Sequence, residues 1–108
     1  MVEIDSNILN DIEKLIIELN KKDYNILKAY IFGSYASNNQ KDWSDIDLAL
    51  VSEKFEGSRF FDKEKIRDIY LKINWKLSPY PITLKQLNED WFVRSEIINK
   101  GIKVYSIK

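Results

Sequence analysis

The chain of 108 residues contains no cysteine and no histidine. Disulfide scaffolds, thiol nucleophiles and Cys/His zinc centres are excluded by inventory. A Ser-His-Asp triad and an imidazole proton shuttle are excluded with them. Any metal has to be held by oxygen ligands, which favours magnesium or manganese. An excess of charge of one sign is also missing. The 17 basic residues balance 17 acidic ones, so no whole-molecule basic field grips a polyanion, and a nucleic-acid template has little to hold. With three glycines and two prolines, there is no linker, repeat or low-complexity tract. The apolar runs are short beside the roughly 20 residues of a membrane span. Met1 to Asn7 is acidic and polar, without the basic start and apolar stretch of a targeting segment. A cytoplasmic protein that does not enter the membrane is expected.

What is present suffices for a core. Hydrophobic residues make up 44% of the chain, and a chain of this size buries roughly two-thirds of its unfolded surface. One domain over residues 1–108 is expected. Ile8, Leu9, Ile12, Leu15, Ile16 and Leu19 recur at helical spacing, with Asp5 or Ser6 as N-cap. Ile26–Phe32 reads as a strand ended by Gly33, and Ser34–Ser37 as one helical turn. Asp45–Val51 reads as a strand whose far end is apolar on both faces. A helix over Phe60–Ile73 follows, with Phe61, Ile66, Ile69, Leu71 and Ile73 among its apolar positions. Trp75–Ile82 is predicted as a strand at a sheet edge, because Pro79 and Pro81 remove N–H groups from the same side. Asn88 is predicted to cap a helix over Glu89–Asn99, with Trp91-Phe92 in the core and Gly101 as its C′ stop. Ile102–Ser106 is the last strand. This order predicts an α+β (α/β) domain, a small mixed sheet of about four strands packed with three helices.

One constellation carries chemistry: Gly33-Ser34, ten intervening residues, then Asp45-Ile46-Asp47. Residues two apart on a strand share a face, with Cα atoms about 6.5 Å apart. Two carboxylates that close repel each other unless a cation shares them. A glycine after a strand lets a phosphate approach the backbone, and the N–H groups of the next turn can hold its oxygens together with the Ser34 hydroxyl. An anion cradle beside a cation site suits a nucleoside triphosphate with magnesium.

Phe32-Gly33-Ser34-Tyr35-Ala36 with Ser44-Asp45-Ile46-Asp47-Leu48 resembles the signature of the DNA-polymerase-β-like nucleotidyltransferase superfamily. The short length and leading helix resemble its minimal nucleotidyltransferase branch. The resemblance implies that Gly33 and Ser34 bind the triphosphate. It also implies that Asp45 and Asp47 are the catalytic metal ligands of a two-ion magnesium site, manganese being possible in place of magnesium. It further implies transfer of a nucleoside monophosphate, with ATP the favoured donor, to an acceptor hydroxyl. A small helical partner protein is implied too, with this chain as the antitoxin of a toxin–antitoxin pair.

The chain departs from the family pattern in two places. Ser37 and Asn38 stand where members often carry Arg and Gly. The third strand usually bears a third carboxylate, but no acid lies between Asn74 and Ile82; Ser78 is the expected occupant of that position. The alternative reading is therefore a nucleotide-binding or protein-interaction module that has lost transfer. Arg59, just after Gly57, is a second candidate nucleotide contact, against the plainer reading of a solvated loop arginine; Lys76 on the third strand is placed likewise. Trp43 and Tyr35 flank the motif and either stack on a base or anchor the loop.

Overall fold

The computed structural model describes residues 3–107. Met1, Val2 and Lys108 lie outside the described residues, and with them part of the amino-terminal segment read above for targeting signals. The elements run α1 (Ser6–Lys21), β1 (Lys28–Phe32), a 3₁₀ turn (Gly33–Tyr35), β2 (Ile46–Val51), α2 (Arg59–Lys65), α3 (Arg67–Ile73), β3 (Leu77–Ile82), α4 (Leu84–Glu89), the π-helical α5 (Val93–Asn99) and β4 (Ile102–Ser106). The sheet order is β3-β2-β1-β4. β1 pairs antiparallel with β2 and β4, whereas β2 and β3 are parallel. The sheet is therefore mixed, as expected.

Strand alternation divides the core into two layers. Ala29 and Ile31 of β1 and Ile46, Leu48 and Leu50 of β2 pack on the α1 stripe of Ile12, Leu15, Ile16 and Leu19. Tyr30, Phe32, Ala49 and Val51 face the other way, against Ile82, Leu87, Val93 and Ile97. Asp5 caps α1, accepting the Asn7 N–H at 2.7 Å. β3 lies at the sheet edge. Its backbone bonds to β2 run through even-numbered residues, Lys76 O to Ile46 N and Ile82 O to Ser52 N. Pro79 and Pro81 thus turn their missing donors to the free edge, which blunts it against strand addition. Among the described residues no helix is long and apolar enough to cross a membrane.

Three helical expectations need correction. The helix expected over Phe60–Ile73 is two helices joined at Ile66, where φ −104° and ψ 4° leave the α region. The halves pack on different partners, α2 on β3 and α3 on α1, and one straight axis does not serve both. Phe61 and Leu71 are exposed as a result, while Ile66 is fully buried. In the carboxy-terminal half, Asn88 caps nothing and lies inside α4. α4 is an additional helix that was not expected; Thr83 and Gln86 start it with a reciprocal capping box, in which Gln86 N donates to Thr83 Oγ1 at 3.1 Å and Thr83 N to Gln86 Oε1 at 2.9 Å. Asp90, at the end of α4, accepts the Val93 N–H that opens α5 at 3.1 Å. Trp91, expected in the core, is 76% exposed.

Gly101 follows α5 as expected, but for a different reason. Its φ is not left-handed; a Cβ there would overlap Ile97 O and lie 2.9 Å from Ile31 O. Conformational entropy alone would make Gly101→Ala neutral or stabilising by about 0.4–1 kcal/mol. The closed space reverses that sign. Gly101→Ala is expected to destabilise by about 1–3 kcal/mol, the usual range for overpacking, as read by urea denaturation.

Candidate functional site

The register of three strands builds the site at one end of the sheet. Phe32 pairs with Asp47 across β1 and β2, and Asp47 pairs with Ser78 across β2 and β3. Directly paired residues share a face, so Phe32, Asp47 and Ser78 form a row with strands about 4.8 Å apart. The vacancy expected at Ser78 is thus next to Asp47. Leu77 turns into the core on the other face, 2% exposed.

Gly33 closes the other side of Asp47. Its φ of +73° lies in the left-handed region, and a Cβ there would overlap Asp47 Oδ2 and lie 3.3 Å from Asp47 Cγ. Glycine is required both by conformation and by the carboxylate packed on it. The turn that follows uses its carbonyls internally: Gly33 O accepts Ala36 N at 3.1 Å, and Ser34 O accepts Asn39 N at 2.8 Å. The Ser34 and Tyr35 N–H groups open the turn, where backbone donors are left over. The expected helical turn over Ser34–Ser37 is therefore this tighter one, one residue earlier. Tyr35 is a buried anchor whose hydroxyl accepts Lys76 Nζ at 3.3 Å. Lys76 also donates to Asp42 O at 3.0 Å, so it braces the loop before β2. Trp43, in that loop, is 80% exposed.

Asp45 is exposed at the entrance to β2, and Asp47 is half-buried. Burial pushes the Asp47 carboxyl above the usual carboxylate range; the negative charge of Asp45 adds to that, and the Lys63 ammonium opposes it. The two carboxylates feel each other, as their spacing implied.

A cleft of about 340 Å³ opens over Asp47 and Ser78, lined also by Arg59, Lys63, Tyr80 and Phe92. Arg59 reaches it from the first turn of α2, its guanidinium 4.8 Å from the Tyr80 ring centroid. Lys63, one turn later, donates to Ser78 Oγ at 3.2 Å. Sequence reasoning missed Lys63. The usable signal was the four-residue spacing from Arg59, which puts both cations on one helical face. The floor is aromatic: Phe32 meets Tyr80 edge-on at 5.5 Å, and Tyr80 stacks on Phe92 at 5.8 Å. Phe92 is therefore part of the cleft, in place of the core role expected for the Trp91-Phe92 pair.

Among the described residues, no cluster of three acidic, histidine or cysteine side chains is poised to hold a metal. Two neighbouring carboxylates still fit magnesium, which keeps waters and shares substrate phosphates rather than filling an all-protein cage.

The raised Asp47 carboxyl fixes a pH dependence. The folded chain binds that proton more readily than the unfolded chain, so stability falls as pH rises from the ordinary carboxylate range through the raised value. Asp47→Asn removes this loss. Without divalent ions it is expected to melt higher than the wild type at pH 7. The difference should fade as pH approaches about 3, where the unfolded-state carboxyl is protonated too. Thermal melts at both pH values check it.

Comparison with known proteins bears on the fold and the family. The family model for polymerase beta, nucleotidyltransferase, matches residues 13–108. A Methanocaldococcus jannaschii protein named "putative protein adenylyltransferase" is 39% identical over 59 residues, which cover 55% of this chain and 60% of that protein. A crystal structure described as a putative nucleotidyltransferase from Sulfolobus solfataricus has TM-score 0.56 at 20% identity, covering 99% of this chain and 93% of that one. A toxin–antitoxin structure with AMP-PNP has TM-score 0.58 at 20% identity, covering 93% of this chain and 74% of that one. A variant of the toxin–antitoxin MntA-HpeT has TM-score 0.57 at 17% identity with the same coverage. These structural likenesses show the fold, and the family match over most of the sequence shows the kinship: the chain belongs to the polymerase β nucleotidyltransferase family.

Proposed function

We propose that this chain transfers a nucleoside monophosphate from ATP or another nucleoside triphosphate to an acceptor hydroxyl, with magnesium or manganese as cofactor. The observation that carries this reading is the packing of the Gly33 backbone on the Asp47 carboxylate. It sets the backbone that would cradle a phosphate directly beside Asp47, two residues after Asp45. Asp45 and Asp47 would hold the divalent ion, and Gly33 and Ser34 the triphosphate. Arg59 reaches the cleft in which phosphates or the base would lie. When bound, the ion offsets phosphate charge and favours displacement at phosphorus.

In the transfer, the acceptor oxygen bonds to the α-phosphorus while the bond to the bridging oxygen breaks and pyrophosphate leaves. The turn N–H groups and the Ser34 hydroxyl hold phosphate oxygens in place for that attack. Ser78, already bonded to an ammonium, is no base near neutral pH. The acceptor proton therefore leaves to solvent or to a group on the acceptor.

A protein acceptor is supported by the adenylyltransferase name of the archaeal relative and by the toxin–antitoxin neighbours. This chain would then act as the antitoxin beside a small helical toxin. Trp75, Trp91 and Phe60, each at least 69% exposed, offer apolar surface for such a partner. A second reading, binding without transfer, is favoured by one observation: the β3 position beside Asp47 carries a hydroxyl instead of a carboxylate.

Calorimetry with a non-hydrolysable ATP analogue tests the site, and labelled ATP with a co-purified partner tests the transfer. Asp45→Asn combined with Asp47→Asn is expected to abolish the magnesium-dependent part of binding while keeping the fold. Ser34→Ala, which deletes one hydrogen bond to a charged oxygen, is expected to weaken binding about tenfold to hundredfold. Unchanged affinity in both variants would place the nucleotide elsewhere. Binding without label transfer would select the second reading.

A further inference from the structure

The cleft already contains a cation of its own. Lys63 Nζ is fastened to Ser78 Oγ at 3.2 Å, and Ser78 is the direct strand neighbour of Asp47. Lys63 is only partly buried, and among the described residues it makes no ion pair within 4.0 Å. Its charge acts on Asp47 through space but is not tied up in a direct ion pair. Arg59 enters the same cleft but rests over Tyr80. α2, which carries both, is tied to the loop before it: the buried Asp62 accepts Glu56 N at 2.9 Å and Gly57 N at 3.0 Å. The ammonium is positioned by the fold.

We propose that Lys63 is the resident cation of this site, so that the chain binds a nucleoside triphosphate with one divalent ion rather than two. The inference rests on the nucleotide-binding reading of Asp45, Asp47 and Gly33-Ser34 given above. A second ion would need another oxygen donor next to Asp47. The donor at that place is Ser78, and an ion on its oxygen would sit against the Lys63 ammonium, where like charges repel. A phosphate oxygen reaching the same spot is attracted instead, and lysine is a common phosphate ligand of this kind. Lys63 thereby supplies from α2 the cation absent at Ser37.

Counting manganese tests this without relying on turnover. Free Mn²⁺ is measured by electron paramagnetic resonance at saturating non-hydrolysable ATP analogue, and analogue affinity is measured by calorimetry. The wild type is expected to bind one Mn²⁺ per nucleotide-bound chain. Lys63→Met is expected to weaken analogue binding about tenfold or more, the usual worth of a hydrogen bond to a charged group. Raising Mn²⁺ should recover that loss. Lys63→Gln, which keeps a donor for Ser78 but loses the charge, should behave like Lys63→Met, whereas Lys63→Arg should stay near the wild type. Equal melting temperatures across the three variants separate these effects from a folding defect. Two Mn²⁺ per chain in a wild type that needs Asp45 and Asp47 for binding would overturn this inference alone. Undiminished affinity in both Lys63→Met and Lys63→Gln would do the same. A wild type that binds no nucleotide would overturn the functional reading along with it.

Discussion

The antiparallel register of β1 and β2 is the constraint on which the site depends. Setting Phe32 opposite Asp47 puts Gly33 immediately beyond the pair. There the backbone meets the carboxylate without a side chain between them. A one-residue slip would move Asp47 to the opposite face and bring Ile46 or Leu48 to the cradle. Such a slip would also expose one apolar layer and bury a charge, so the two-sided core that stabilises the sheet is what enforces the register. Stability and site geometry are the same requirement here.

The second determinant is α2. Buried carboxylates are costly unless they are well bonded; Asp62, 1% exposed, accepts backbone N–H groups from Glu56 and Gly57. Burial still pushes its carboxyl upward, with hydrogen bonds from Gly57 and Ser58 opposing. The loop before α2 is tied again from α4, where Gln86 Nε2 donates to Gly57 O at 3.1 Å. These bonds fix where Arg59 and Lys63 project. The charged cleft is thus organised by side chain–backbone bonds of Asp62 and Gln86 outside it.

Much of this was legible in the sequence because it depends on local spacing. The α1 stripe follows from the period of 3.6, the closeness of Asp45 to Asp47 from their spacing of two, and the edge position of β3 from the N–H groups its prolines lack. Ser78 as occupant of the third-carboxylate position followed from its place along the strand, but its direct pairing with Asp47 is a long-range parallel register that no local pattern reports. For Lys63 the spacing from Arg59 was a local signal, but its contact with Ser78 exists only once α2 packs on β3. The break at Ile66 reflects two competing packing partners, again a tertiary effect. α4, which was not expected, is different: Thr83 and Gln86 spell a capping box in the sequence, a local signal that Asn88 and the acidic residues after it outweighed.

A joint view of nucleotide and metal in this cleft is the most direct test. Crystals of the chain grown with Mn²⁺ and a non-hydrolysable ATP analogue would locate the ion by its anomalous scattering. The expected result is manganese bonded to both Asp45 and Asp47, with phosphate oxygens on the N–H groups of the Gly33–Tyr35 turn and on Ser34. Manganese away from these two aspartates, or phosphates that leave the turn empty, would contradict the assignment.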